Sequence, residues 1–137
     1  MKEGAGKSIA RWLIALGMVT SGVLHFVSTD AYASIVPAYL PAHTLLVQVS
    51  GVAELLGGVG LLVPSVALRR AATFGLIALL VAVFPANVDM ALHHRPMDGH
   101  PVAPAILWGR LPLQAVLLWL TWWCTRAPHH PGSVRPA

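Results

Sequence analysis

Charge is the scarcest property of this sequence. Asp, Glu, Lys and Arg make up only 10% of its 137 residues, whereas hydrophobic residues make up 56%. That balance is far from an average water-soluble domain. Cysteine is nearly absent too. Cys124 is the single one, which excludes an intrachain disulfide and a CxxC pair and leaves it as an apolar filler. There is no nucleophile–base pair, no glycine-rich phosphate loop and no Cys/His/carboxylate cluster, so nothing supports an autonomous hydrolase or transferase. The formal charge of +4 does not indicate nucleic acid. The basic residues are scattered and make no stripe with interleaved aromatics.

What the chain does have is long apolar runs: Ser8–Val27, Thr44–Val66, Ala71–His93 and Pro104–Cys124. Each approaches the ~20 residues that a helix needs to cross a bilayer. Backbone polar groups cannot stay unpaired in lipid, so the runs are expected to be helices. The fold expected is an all-α integral membrane protein, an antiparallel four-helix bundle, with residues 1–126 as one four-span domain. The remainder, 127–137, reads as a disordered cytoplasmic tail with His129, His130 and several prolines. The lipid bilayer is thus the first partner, and a homo-oligomer is open.

Basic residues set the expected orientation. Lys2, Lys7 and Arg11 precede the first span, Arg69 and Arg70 fill the turn between the second and third, and Arg126 and Arg135 follow the fourth. Ser28–His43 holds no Lys or Arg, and His94–Ala103 holds only Arg95. The positive-inside rule then puts both termini and the middle turn in the cytoplasm. The start of the chain also resembles a signal peptide, with Ala31-Tyr32-Ala33 as a cleavage site. The apolar run is long for an h-region and ends at the polar His25, which favours a retained span. Ser28–His43 contains Tyr32, Ile35, Val36, Tyr39, Leu40, Pro37 and Pro41. It is too apolar for a solvated loop and is expected to be a short interfacial element covering the outer mouth.

The polar exceptions within the spans carry the functional question. With a rise of ~1.5 Å per residue, His25, Glu54, Asn87, Arg110 and Gln114 all fall between the outer interface and the midplane. No comparable residue is expected in the cytoplasmic half. Arg110 and Gln114 share a helix face, and Gly51, Glu54 and Gly58 share another. Ser21, Gly22 and His25 repeat that small-plus-polar arrangement. Glu54 is expected to find its counter-ion in Arg110. Pro85 and Pro112 each remove a helix hydrogen bond beside this layer and free a carbonyl. Trp119, Trp122 and Trp123 read as interface residues, whereas Trp108, near Arg110, is placed to line a pocket.

Each residue also has a plain structural reading. Glu54 and Arg110 can be only a clasp, His25 only a hydrogen-bonding neighbour, and Asn87 and Gln114 only interhelical glue. Asp89 reads as solvated or paired with His93. The adjacent pairs His93-His94 and His129-His130 diverge on a helix and complete no metal site. Bis-histidine haem on His25 and His93, which lie at similar depth, is a weak cofactor reading.

Several segments together resemble a known family. Leu24-His25-Phe26, Ile35–Pro41, Gly51–Gly58, Val83–Asn87 and Arg110–Gln114, in that order, resemble the DoxX-like membrane proteins. The resemblance covers about residues 8–124. It implies a four-helix protein of the bacterial inner membrane, associated with quinone, thiol or oxidative-stress chemistry and with a soluble or membrane oxidoreductase partner. It transfers no catalytic residues. The leading expectation is a redox-accessory subunit in which His25, Glu54, Asn87, Trp108, Arg110 and Gln114 bind a quinone or similar lipophilic molecule. The alternatives are a small transporter or binding protein for an amphiphilic solute, or an assembly component with no ligand.

Overall fold

The computed structural model describes residues 4–126. Lys2, Arg135 and the tail from residue 127 lie outside that range. The described chain forms helices α1 (Ala5–Val27), α2 (Thr29–Ser34), α3 (His43–Leu62), α4 (Val66–His93) and α5 (Pro104–Thr125). All but α2 are long and apolar enough to cross a membrane. Their outward side chains are those of a lipid-facing surface. Leu16, Leu56 and Phe74 are each about two-thirds exposed, and the inward faces combine apolar residues such as Ile14, Leu61 and Leu76 with glycines and a few polar groups.

Local chemistry sets the breaks. Pro64 cannot continue a helix, and α3 stops at Leu62, short of the expected Val66. Ser65 then accepts a hydrogen bond from the Leu68 backbone and caps α4. Arg69 and Arg70 therefore belong to the first turns of α4, not to the turn before it. The Arg69 guanidinium reaches back to the Val63 carbonyl at 3.1 Å. His94 ends α4 in the left-handed conformation and Pro96 follows. Asp98-Gly99, both at positive φ, makes a two-residue turn closed by paired Met97 and His100 backbone bonds. Pro104 opens α5 at a position where its missing N–H costs nothing.

α1 packs on α3 and α5, α3 on α4, and α4 on α5. Glycine makes the α1–α3 contact close. A Cβ on Gly22 would stand 2.8 Å from the Gly51 carbonyl, and one on Gly58 would stand 2.9 Å from the Ala15 carbonyl. Two apolar clusters stand apart along the bundle. Ile14, Ala15, Met18, Leu61, Leu76, Leu80 and Cys124 make one. Met90, Ala91 and Leu107, joined by Ile35, Met97, Val102 and Leu111, make the other.

One charged residue differs from expectation, and another keeps its expected partner and gains a second. Arg11 is not a flanking residue of the first span but is buried within α1, so the polar inventory is not confined to one layer. Asp89 pairs with Arg95 at 2.6 Å as well as with His93 at 3.0 Å, because the α4–α5 connection folds back over the end of α4.

Candidate functional site

A cavity of about 690 Å³ runs along the interior between the four long helices. This is within the ~300–1,000 Å³ range of small-molecule sites. His25, Glu54, Asn87, Arg110 and Gln114 all line it. Helical periodicity accounts for their convergence. On α1, Ser21 and His25 share the face of Met18, and on α5, Arg110 and Gln114 sit one turn apart. Trp108 does not join them. It is not on the cavity wall and is about half exposed, since it lies two residues from Arg110 and so faces away from it.

The expected Glu54–Arg110 ion pair does not form. The Glu54 carboxylate faces His25, with Oε2 at 3.3 Å from Nδ1. The geometry is that of a charge contact, not a hydrogen bond. His25 Nδ1 is already engaged with the Ser21 carbonyl at 2.9 Å, and Glu54 Oε2 is buried with no hydrogen-bond partner among the described residues. The α1–α3 glycine contact is the cause. Gly51 admits the His25 Cβ so closely that His25 reaches Glu54 first.

Arg110 is correspondingly under-used. Its Nη1 donates to the Met90 thioether at 3.1 Å, a weak acceptor for a group with five donors. No carboxylate lies within ion-pair distance of it among the described residues.

Asn87 and Gln114 are joined. Asn87 Nδ2 donates to Gln114 Oε1 at 2.8 Å, and Gln114 Nε2 donates to the Leu80 carbonyl. Pro85 deprives the carbonyl of Val81, one residue further on, of its usual partner. The polar bridge thus lies beside the proline-disturbed turn. Gln114 is buried, and this pair is the glue between α4 and α5.

Tyr32 completes the site, and sequence reasoning treats it only as an interface ring. It stacks on His25 with ring centroids 4.2 Å apart and lines the cavity. Ser28 breaks the helix between the two, so no periodicity connects them. Thr29 secures the corner by donating to the His25 carbonyl at 2.7 Å. The connection after α1 seats itself over this end of the cavity. Ile35 packs on the Met90 cluster, Pro37 is fully buried, and Ser34 accepts from the Asp98 backbone. Among the two histidines considered for haem, His25 lines the cavity, whereas His93 is exposed and bound to Asp89.

Burial raises the Tyr32 phenol above its ordinary value. The Glu54 charge adds to the rise and Arg110 opposes it. In a Tyr39→Phe background, ultraviolet titration should show late ionisation of Tyr32. Glu54→Gln should bring its pKa down by removing a negative neighbour, and Arg110→Met should push it further up. Equal titration in all three proteins would mean that Tyr32 does not sit between these charges.

Residues 14–125 match the family described as Domain of unknown function (DUF8561). The chain belongs to that family. No curated protein and no solved structure matches it.

Proposed function

We propose that this chain is a multi-pass membrane protein, an antiparallel four-helix bundle that binds a quinone or similar lipophilic carbonyl compound in its central cavity. The single observation behind this reading is Arg110. Its guanidinium borders an apolar cavity with only a thioether for a partner among the described residues. An arginine at such depth is costly unless something answers its donors. A carbonyl oxygen of a membrane-dissolved ligand does so, with His25 and Asn87 on neighbouring walls. The apolar remainder of the cavity suits an isoprenoid or acyl tail. The likeness to DoxX-like proteins favours a redox-accessory role beside an oxidoreductase that supplies electrons.

The same unanswered arginine also favours a second reading, a carrier or binding protein for an amphiphilic solute with an acidic head. The purely structural clasp is weakened, because its two expected partners do not touch.

Mass spectrometry of protein purified in mild detergent, followed by quinone titration, tests the proposal. Wild type should retain a stoichiometric quinone. Arg110→Met should lose roughly tenfold or more in affinity, the equivalent of one charge-assisted hydrogen bond of about 1.5–3 kcal/mol, while remaining folded. Retention of a fatty acid or phospholipid instead would favour the solute-carrier reading. No retained molecule and no quinone binding would defeat the pocket altogether.

The orientation proposed has both termini in the bacterial cytoplasm, with the 28–42 connection on the outer side. Lys7 meets the Arg126 carbonyl at one end of the bundle, and Arg69 and Arg70 follow the turn beside Leu61 and Leu62 in that half. Single cysteines in a Cys124→Ala background report it. A cysteine replacing Ala38 should react from outside, and one replacing Arg70 only after the inside is opened. The reverse pattern would invert the topology.

A further inference from the structure

The cavity is polar at one end only. His25, Tyr32, Glu54, Asn87, Arg110 and Gln114 gather there, whereas towards the other end the wall is Ala10, Leu13, Ile14, Gly17, Leu117 and Leu120. From Ala10 to His25 this amounts to about 22 Å of helix. A single elongated molecule with a polar head and an apolar tail fits that division.

The way in follows from the helix faces. Ala15 and Gly22, which touch α3, occupy one side of α1, and Leu13 and Gly17 lie on another side, away from α3. On α5, a separate small pocket with Ala115 and Leu118 marks the side facing α4, whereas Leu113 and Leu117 lie on the side away from it. Leu13, Gly17, Leu113 and Leu117 therefore border the seam between α1 and α5. Leu13 and Leu113 are more than half exposed although they line the cavity, so the interior opens sideways there. The seam is held at one end by the Lys7–Arg126 hydrogen bond and by Lys7 over the Trp123 ring. It is covered at the other end by the Tyr32–Pro37 segment. Gly17 stands between. Unlike Gly22, Gly51 and Gly58, it has nothing within 4 Å of a Cβ built on it, so no helix contact requires glycine there.

We infer that the ligand reaches the cavity laterally from the bilayer, through the α1–α5 seam at Gly17, with its head advancing to Arg110 and its tail remaining between Leu13 and Leu113. This rests on the pocket reading above and adds the route and the shape of the ligand. Helices and lid leave the apolar seam as the path on which a membrane-dissolved molecule need not cross water. The unfilled Arg110 guanidinium gives the head a destination.

The experiment is decylubiquinone uptake by the full chain in phospholipid nanodiscs, compared among wild type, Gly17→Phe and Gly75→Phe. Gly75 is the control, because it is exposed on α4, is absent from the cavity wall and has equally open surroundings. Gly17→Phe should slow association roughly tenfold or more, beyond the usual dissociation-dominated pattern of binding mutants. Gly75→Phe should stay near wild type. Unchanged association in Gly17→Phe, with wild type binding, overturns the lateral route and leaves the pocket standing. Equal slowing in Gly75→Phe overturns it as well, since the effect would then be one of bulk at the lipid surface. Absence of binding in wild type overturns both the pocket and the route.

Discussion

Gly22→Ala combined with Gly58→Ala should be among the most damaging pairs of single-methyl additions in this protein. Each new Cβ meets a backbone carbonyl of the opposite helix at under 3 Å, and backbone cannot rotate away as a side chain can. Overpacking of this kind costs about 1–3 kcal/mol per site. The two sites lie about two helix turns apart along the α1–α3 seam, so together they should force the helices apart and remove several kcal/mol of a typical total of about 5–15. Gly75→Ala and Gly109→Ala are the matched controls. Nothing stands within 4 Å of either position, and alanine should be neutral or better by up to about 1 kcal/mol. Thermal unfolding in detergent distinguishes the two pairs. If the Gly22/Gly58 double variant unfolds with the controls, the close α1–α3 approach is wrong. Gly51→Ala extends the argument to the site. Its Cβ would press on the Cβ of His25 at 2.8 Å, so ligand retention should fall together with stability.

Gln114→Leu should destabilise the fold rather than merely empty the site. Gln114 is buried and holds both Asn87 and the Leu80 carbonyl. Leucine leaves the Asn87 donor without its partner, while the Leu80 carbonyl loses only its second bond, because the Phe84 N–H of its own helix still answers it. Interhelical hydrogen bonds in membrane proteins average only about 0.6 kcal/mol, but orphaned buried groups cost about 1–3 kcal/mol each. A loss of roughly 1–3 kcal/mol is therefore expected. Adding Asn87→Leu removes that orphan. The double variant should then be less destabilised than the sum of the singles, the signature of coupled partners in a double-mutant cycle. Strict additivity would show that the two side chains act independently. The contrast with Arg110→Met is informative, because that change should cost ligand and spare the fold. Two residues one turn apart on α5 thus serve different ends. One is spent on its neighbours and the other faces the cavity.

Much of the architecture was legible in the residue order. Span lengths follow from the bilayer-length apolar runs, and Pro104 marks the start of the last one, whereas the break at Pro64 and Ser65 lay inside the run expected to end at Val66. These are local effects, needing only a residue and its near neighbours. The small-plus-polar faces of α1 and α3 were legible for the same reason, since periodicity alone puts Gly22 with His25 and Gly51 with Glu54. The short range of that information also explains what was missed. Periodicity fixes which side chains share a face of one helix, but not how that helix is rotated against the next. Glu54 meets His25 rather than Arg110 because the glycine contact brings α1 closer to α3 than α5 can come. Trp108 faces outward and Arg110 inward because packing chose one rotation of α5. Arg11 is buried because it shares the inward face of α1 with Ala15, Met18 and Gly22. Tyr32 joins His25 only because the chain turns at Ser28 and α2 folds back. Sequence by itself determined four apolar helices and an inventory of polar groups. The tertiary structure decided which of those groups satisfy one another and which, above all Arg110, still face open space, because pairing depends on distances across helices that no local pattern encodes.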